Sequence, residues 1–205
     1  GFGALKAITT GGNNTVMGRL AADAITSGAS NIVIGDSALG AATTATENVA
    51  IGGDAMSLVQ AGQAITGVVA IGQNALKGGA TTTVIDGTIA IGKGALQILT
   101  TGERNIAVGF EALKQADDSD DSIAIGYQAL AGTDAGTNNK NIAIGNYALD
   151  ANMTHNTNNI AIGHETLTNL AGSGALANVF IGTQAGISLT NADYNTGVGH
   201  GVMGE

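Results

Sequence analysis

The stretch Asn141-Ile142-Ala143-Ile144-Gly145-Asn146-Tyr147-Ala148-Leu149 returns, with few changes, from one end of the chain to the other. Aligned on its glycine it falls at Gly1, Gly18, Gly35, Gly52, Gly72, Gly92, Gly109, Gly126, Gly145, Gly163, Gly182 and Gly199, at intervals of 17, 17, 17, 20, 20, 17, 17, 19, 18, 19 and 17. A period this regular is the signature of stacked repeats. It leaves no room for a second domain, so residues 1–205 read as a single repeat domain.

The residues before each glycine say what a repeat unit is. Positions one and three places before it are almost all Ile or Val, and the place between is mostly alanine. A β-branched, small, β-branched order fits a short strand whose alternate side chains point to opposite faces. Ala-Leu or a near variant follows the glycine after two variable residues, as in Ala38-Leu39 and Ala112-Leu113. The rest of each period, such as Ala41-Ala42-Thr43-Thr44-Ala45-Thr46, is turn-forming, and all the variation in length falls there. A helix-pair repeat needs roughly 33 residues or more, so the short period excludes it. The pattern predicts an all-β parallel β-solenoid of about eleven coils, each of 17–20 residues, forming a rod some 50 Å long at about 4.8 Å per coil.

Two expectations concern packing. Ile and Val are expected to fill a narrow core. The alanine row Ala50, Ala70, Ala90, Ala107, Ala124, Ala143 and Ala161 is then expected to face outward, where a second chain approaches closely. A thin rod buries little apolar surface by itself, which favours bundling of several chains. Asparagine stands four places before the glycine in eight units, which points to a stacked amide ladder or a corner. Val68, Thr88 and Ser122 take that place in the middle of the chain and are expected to break the ladder.

Composition narrows the function. There are 33 glycines, no cysteine and no proline, and the net charge is −9. Without cysteine there is no disulfide or thiol chemistry. The acidic balance argues against phosphate-backbone binding, so nucleic acid is not an expected partner. No apolar run reaches the ~18 residues of a membrane span, and membrane insertion is not expected. The glycine at position 1 and a last repeat that stops in mid-pattern suggest a piece of a longer fibre protein.

These phrases resemble the head repeat of trimeric autotransporter adhesins of the YadA type, and the same repeat in bacteriophage tail fibres. The similarity runs from Gly1 to Gly199. It implies a left-handed parallel β-roll assembled as a parallel homotrimer, on a virion or a bacterial cell surface and so extracellular. The Asn- and Thr-rich loop from Asp150 to Asn158 looks more like the phage versions.

Motifs with possible chemistry are few. Gly199-His200-Gly201-Val202-Met203-Gly204 matches a dinucleotide fingerprint in letters, without the following helix or acidic residue that would give it meaning. Asp117-Asp118-Ser119-Asp120-Asp121 could gather calcium, but it lacks the spacing of a known calcium loop and reads as a solvated turn. His155, His164 and His200 lie on different coils. No catalytic residue, metal ligand or cofactor is expected. Phe110, Tyr127, Tyr147 and His164 fall just after their repeat glycines and form a possible surface-contact row, since sugars are bound by stacking on such rings. The expectation is a structural and adhesive segment of a trimeric fibre, first a phage tail fibre contributing to host attachment. An adhesin head that binds host matrix or glycan is the alternative. An ice-binding solenoid ranks lower, because the threonines do not form a regular array.

Overall fold

The computed structural model describes residues 1–78, 84–132, 138–151, 155–170 and 174–204. Residues 152–154 of the Asn-rich loop lie outside that set. Among the described residues eleven three-residue strands run in chain order: β1 (Thr15–Met17), β2 (Ile32–Ile34), β3 (Val49–Ile51), β4 (Val69–Ile71), β5 (Ile89–Ile91), β6 (Ile106–Val108), β7 (Ile123–Ile125), β8 (Ile142–Ile144), β9 (Ile160–Ile162), β10 (Val179–Ile181) and β11 (Thr196–Val198). They form one sheet in the order β1 to β11, each strand parallel to the next. The register matches place for place, with Ile106, Ala107 and Val108 against Ile123, Ala124 and Ile125. No helix occurs among the described residues. The chain is a parallel β-solenoid, as its period predicted.

The repeat glycines hold the coils at this spacing. A Cβ on Gly109 would lie 2.2 Å from the carbonyl oxygen of Gly126, and one on Gly145 would lie 2.2 Å from that of Gly163. Their φ angles, +142° and +136°, are ones that side chains seldom allow. Three further corners are left-handed in every coil, at five places before the glycine and at two and four places after it. Glu47, Ser37 and Leu39 are examples, with φ of 60°, 55° and 49°. Such residues give their backbone N–H to a neighbouring coil, as Glu47 to Ala29, Ser37 to Arg19 and Leu39 to Ala55. The left-handed region costs roughly 1–2 kcal/mol for a residue with a side chain, and hydrogen bonds repeated coil upon coil offset it.

The strand faces are the reverse of the expected ones. Ala50, Ala70, Ala90, Ala107, Ala124, Ala143 and Ala161 are all fully buried inside the chain, so none can meet a second chain. The Ile and Val on either side point outward, and Ile32, Ile91, Ile125 and Ile181 are 36–42% exposed. The reason is volume. A coil of 17–20 residues closes so tightly that the strand's inner place packs in one core with the buried Ala-Leu arm, for example Ala112 and Leu113, with room for a small side chain, alanine in most coils and Val33 in β2. Where β10 carries the larger Phe180 at that place, two glycines make the room. A Cβ on Gly197 would meet the Phe180 ring at 2.5 Å, and one on Gly186 would meet it at 3.0 Å.

The asparagine ladder lies at the corner before the strand and is largely continuous. Asn48 gives its backbone N–H to Asn31 Oδ1 at 3.1 Å, and its Nδ2 donates to the Ile65 carbonyl at 3.0 Å. The same pattern links Asn141, Asn159, Asn178 and Asn195. Thr88 and Ser122, expected to break the row, carry it on through their hydroxyls: Thr88 Oγ1 accepts from the Asn105 N–H, and Ser122 Oγ accepts from the Asn141 N–H. Only at Val68 does the side chain drop out, though its N–H still reaches Asn48 Oδ1 at 2.9 Å. Buried amides satisfied in this way pin the strand register.

Two variants check this account. Ala143→Lys places an ammonium in a sealed interior and is expected to abolish the cooperative thermal transition followed by circular dichroism, because an unpaired buried charge is too costly. Glu47→Asn puts at an exposed left-handed corner the residue already found there as Asn13 and Asn158. It should stabilise the chain by about 1 kcal/mol and raise Tm by about 2–4 °C.

Candidate binding surfaces

Two surfaces stand out on the solenoid. The first is the outer face of the sheet, where the places one and three before the glycine stack into two columns that are Ile or Val in every strand from β2 to β10. Matched register sets each side chain directly over its copy in the next coil. These columns span eight inter-strand spacings, or about 38 Å. A continuous apolar strip of this length is not an ordinary solvent-facing surface.

The second surface lies beyond the glycine turn. Phe110 and Tyr127 stack with ring centroids 5.3 Å apart and planes within 7°. Tyr147 follows at 5.2 Å, but its plane is turned by 68°. His164 stands 6.2 Å further on, at 88°. The four residues of the expected surface-contact row are therefore brought together. Tyr147 departs from the others because it stands two places after its glycine, where Phe110, Tyr127 and His164 stand one place after theirs. The preceding place on that coil is Asn146, whose Oδ1 accepts the Tyr127 N–H at 2.9 Å. The single-residue offset turns Tyr147 out of the stack and into a neighbouring groove.

That groove is lined by Tyr147, Asp150, Glu165, Thr168, Asn169 and Ile187, and its volume is about 350 Å³. Glu165 Oε2 accepts a hydrogen bond from Gln184 Nε2 at 2.8 Å and lies 3.7 Å from His164 Nδ1. Asn169 donates to the Ile187 carbonyl at 2.7 Å. Burial pushes the Asp150 carboxyl up to about 6. The Tyr147 hydroxyl is also raised, first by burial, then by Tyr127 and by the charges of Asp150 and Glu165.

The acidic segment behaves as a set of inter-coil ties. Asp120 Oδ1 accepts the Glu103 N–H at 2.8 Å, Asp121 pairs with Arg104 at 2.6 Å, and Asp117 accepts from Thr100. The Arg104 hydrogen bond holds the Asp121 carboxyl below its usual range. Among the described residues no three His, Asp or Glu side chains are placed to share a metal ion. The glycine-rich segment after β11 is a turn, in which the Gly201 N–H bonds to Thr183. Comparison with protein-family models, curated proteins and solved structures finds no match to the chain. Its geometry defines the class: a β-solenoid repeat protein with an apolar strand face and an aromatic edge.

Sequence spacing found the aromatic row. It missed the groove, whose lining comes from places two, five and six after glycines on three successive coils. The half-buried Asp150 gives a pH test. Its raised pKa means that the folded chain holds this proton more tightly than the unfolded chain, so the associated stability is present below pH ~4 and is lost as pH rises through about 6. Asp150→Asn should therefore raise Tm at pH 7.5 and leave it unchanged at pH 3.5, as read by scanning calorimetry.

Proposed function

We propose that this chain is a structural and adhesive segment of an elongated homotrimeric fibre, most simply a bacteriophage tail fibre that contributes to host attachment. The observation that carries the reading is the pair of Ile and Val columns on the strand face. Three left-handed rods packed in parallel would turn these strips toward a common axis and remove them from water, at a gain of roughly 25 cal/mol per Å² of apolar area. The assembly interface assigned here is thus the outward β-branched pair, for example Ile123 with Ile125 and Ile142 with Ile144, in place of the alanines. Function on this reading comes from length, stiffness and surface contact on a virion or cell exterior.

The head of a bacterial surface adhesin that binds matrix or glycan is the second reading, favoured by the ladder of Phe110, Tyr127, Tyr147 and His164. Ice binding finds less support. The strand columns carry threonine only at Thr15 and Thr196, at the two ends of the sheet.

Sedimentation equilibrium tests the assembly. The wild-type chain should run near three times its 20.0 kDa mass, and the double variant Ile123→Lys/Ile142→Lys should run as a 20.0 kDa species with an unchanged far-ultraviolet spectrum. A wild-type chain stable as a monomer at micromolar concentration would overturn the fibre reading.

A further inference from the structure

Among the described residues, places two, five and six after the repeat glycine line two shallow openings at different levels of the rod. The lower opening includes Asp23, Ser37, Asp54, Ser57 and Lys77 and has a volume of about 360 Å³. The upper one is the groove of Tyr147, Asp150, Glu165, Thr168, Asn169 and Ile187. Between them in the chain, Lys114 Nζ pairs with Glu111 Oε1 at 2.8 Å, from place five to place two of the same coil.

The two openings differ in chemistry. The lower one is mixed in charge, holds no aromatic ring, and contains a Ser57 hydroxyl that is sealed from solvent without a partner. The upper one holds a tyrosine ring, two carboxylates, a threonine hydroxyl and an amide, and no cation is among its lining residues. Asp150 is half-buried with no hydrogen-bond donor among the described contacts, so its oxygens are open to a ligand. Glu165 has one oxygen engaged by Gln184 and the other available. The Asn169 amide nitrogen is used by Ile187, which leaves its carbonyl oxygen as an acceptor.

A flat ring beside several free acceptors, with no positive charge, matches a ligand rich in hydroxyl donors with an apolar face. It opposes any anion. We infer that the upper groove binds a neutral saccharide, one pyranose ring against Tyr147 and its neighbour's hydroxyls donating to Asp150, Glu165 and Asn169. The groove spans three coils, about 10 Å along the rod, and a volume of about 350 Å³ accommodates a disaccharide. The inference rests on the attachment reading above and names its ligand class. Sialylated and other anionic glycans are excluded by Asp150 and Glu165.

The test is titration of the whole chain with four neutral disaccharides, maltose, lactose, cellobiose and diacetylchitobiose, and with sialyllactose as the anionic probe, followed by amide chemical shifts. At least one neutral disaccharide should saturate and shift the signals of Tyr147, Glu165 and Asn169. Tyr147→Ala should weaken that binding at least tenfold and Asp150→Asn at least threefold, while Asp54→Asn in the lower opening leaves it unchanged. Tyr147→Leu keeps an apolar side chain in the ladder and serves if the alanine variant unfolds; it too should bind at least tenfold more weakly. No saturable binding to any of the four, equal binding of sialyllactose, or wild-type affinity in the folded Tyr147 variant would each overturn the inference. Sedimentation of the same samples separates the two readings: trimers that bind none of these sugars retire only the saccharide, and monomers that bind one retire only the fibre.

Discussion

The structure depends on how closely one coil can sit on the next. Backbone pairing between parallel strands fixes that distance at about 4.8 Å, and at the repeat glycine the chain turns so sharply that the next coil's carbonyl occupies the space a side chain would need. Gly18, Gly35 and Gly92, like Gly109 and Gly145, would each bring a Cβ within 2.5 Å of that oxygen. With the turn held there, every other place in the unit is held in register too. The buried asparagines and the left-handed corners then repeat at fixed heights, because each bonds to the coil above or below it. Variation in repeat length falls between the Ala-Leu arm and the asparagine corner.

Close stacking also sets what can be inside. A coil this narrow accepts a small side chain at the strand's inner place and a leucine from the opposite arm, and the Ile and Val that flank that place are turned out. Phe180 supports the rule, since Gly186 and Gly197 give up their side chains where its ring lies. A rod whose strands turn their flanking Ile and Val outward has an unfinished hydrophobic surface. On the fibre reading proposed above, further copies packed on that face would cover it.

The rest of the surface is set by columns. A residue placed at one position of the unit stands above its counterparts at intervals of one coil, so side chains far apart in sequence form ladders and grooves. Phe110, Tyr127 and His164 share a column, and Tyr147, one place on, turns toward the trough that it shares with Asp150 and Glu165. The Asp117 to Asp121 run follows the same logic, with the carboxylates of Asp117, Asp120 and Asp121 bound to the Thr100 to Arg104 segment of the coil before.

Much of this was legible in the residues. The constant spacing of the phrase determined a parallel stack of short strands, its glycine marked the place with no room for a Cβ, and the recurrence of aromatic residues after that glycine foretold a row of rings. Which face of each strand points inward was not legible. Alternation says only that Ala143 and Ile144 lie on opposite sides, and the choice between them depends on the width of the closed coil. The hydroxyls of Thr88 and Ser122 continuing the amide ladder, and the trough around Asp150, likewise depend on distances across coils 17 to 20 residues apart in the chain. The sequence by itself determined the repeat and its turn, because those are local. Only the tertiary structure decided inside from outside, because that is a matter of the volume enclosed when the coil closes on itself.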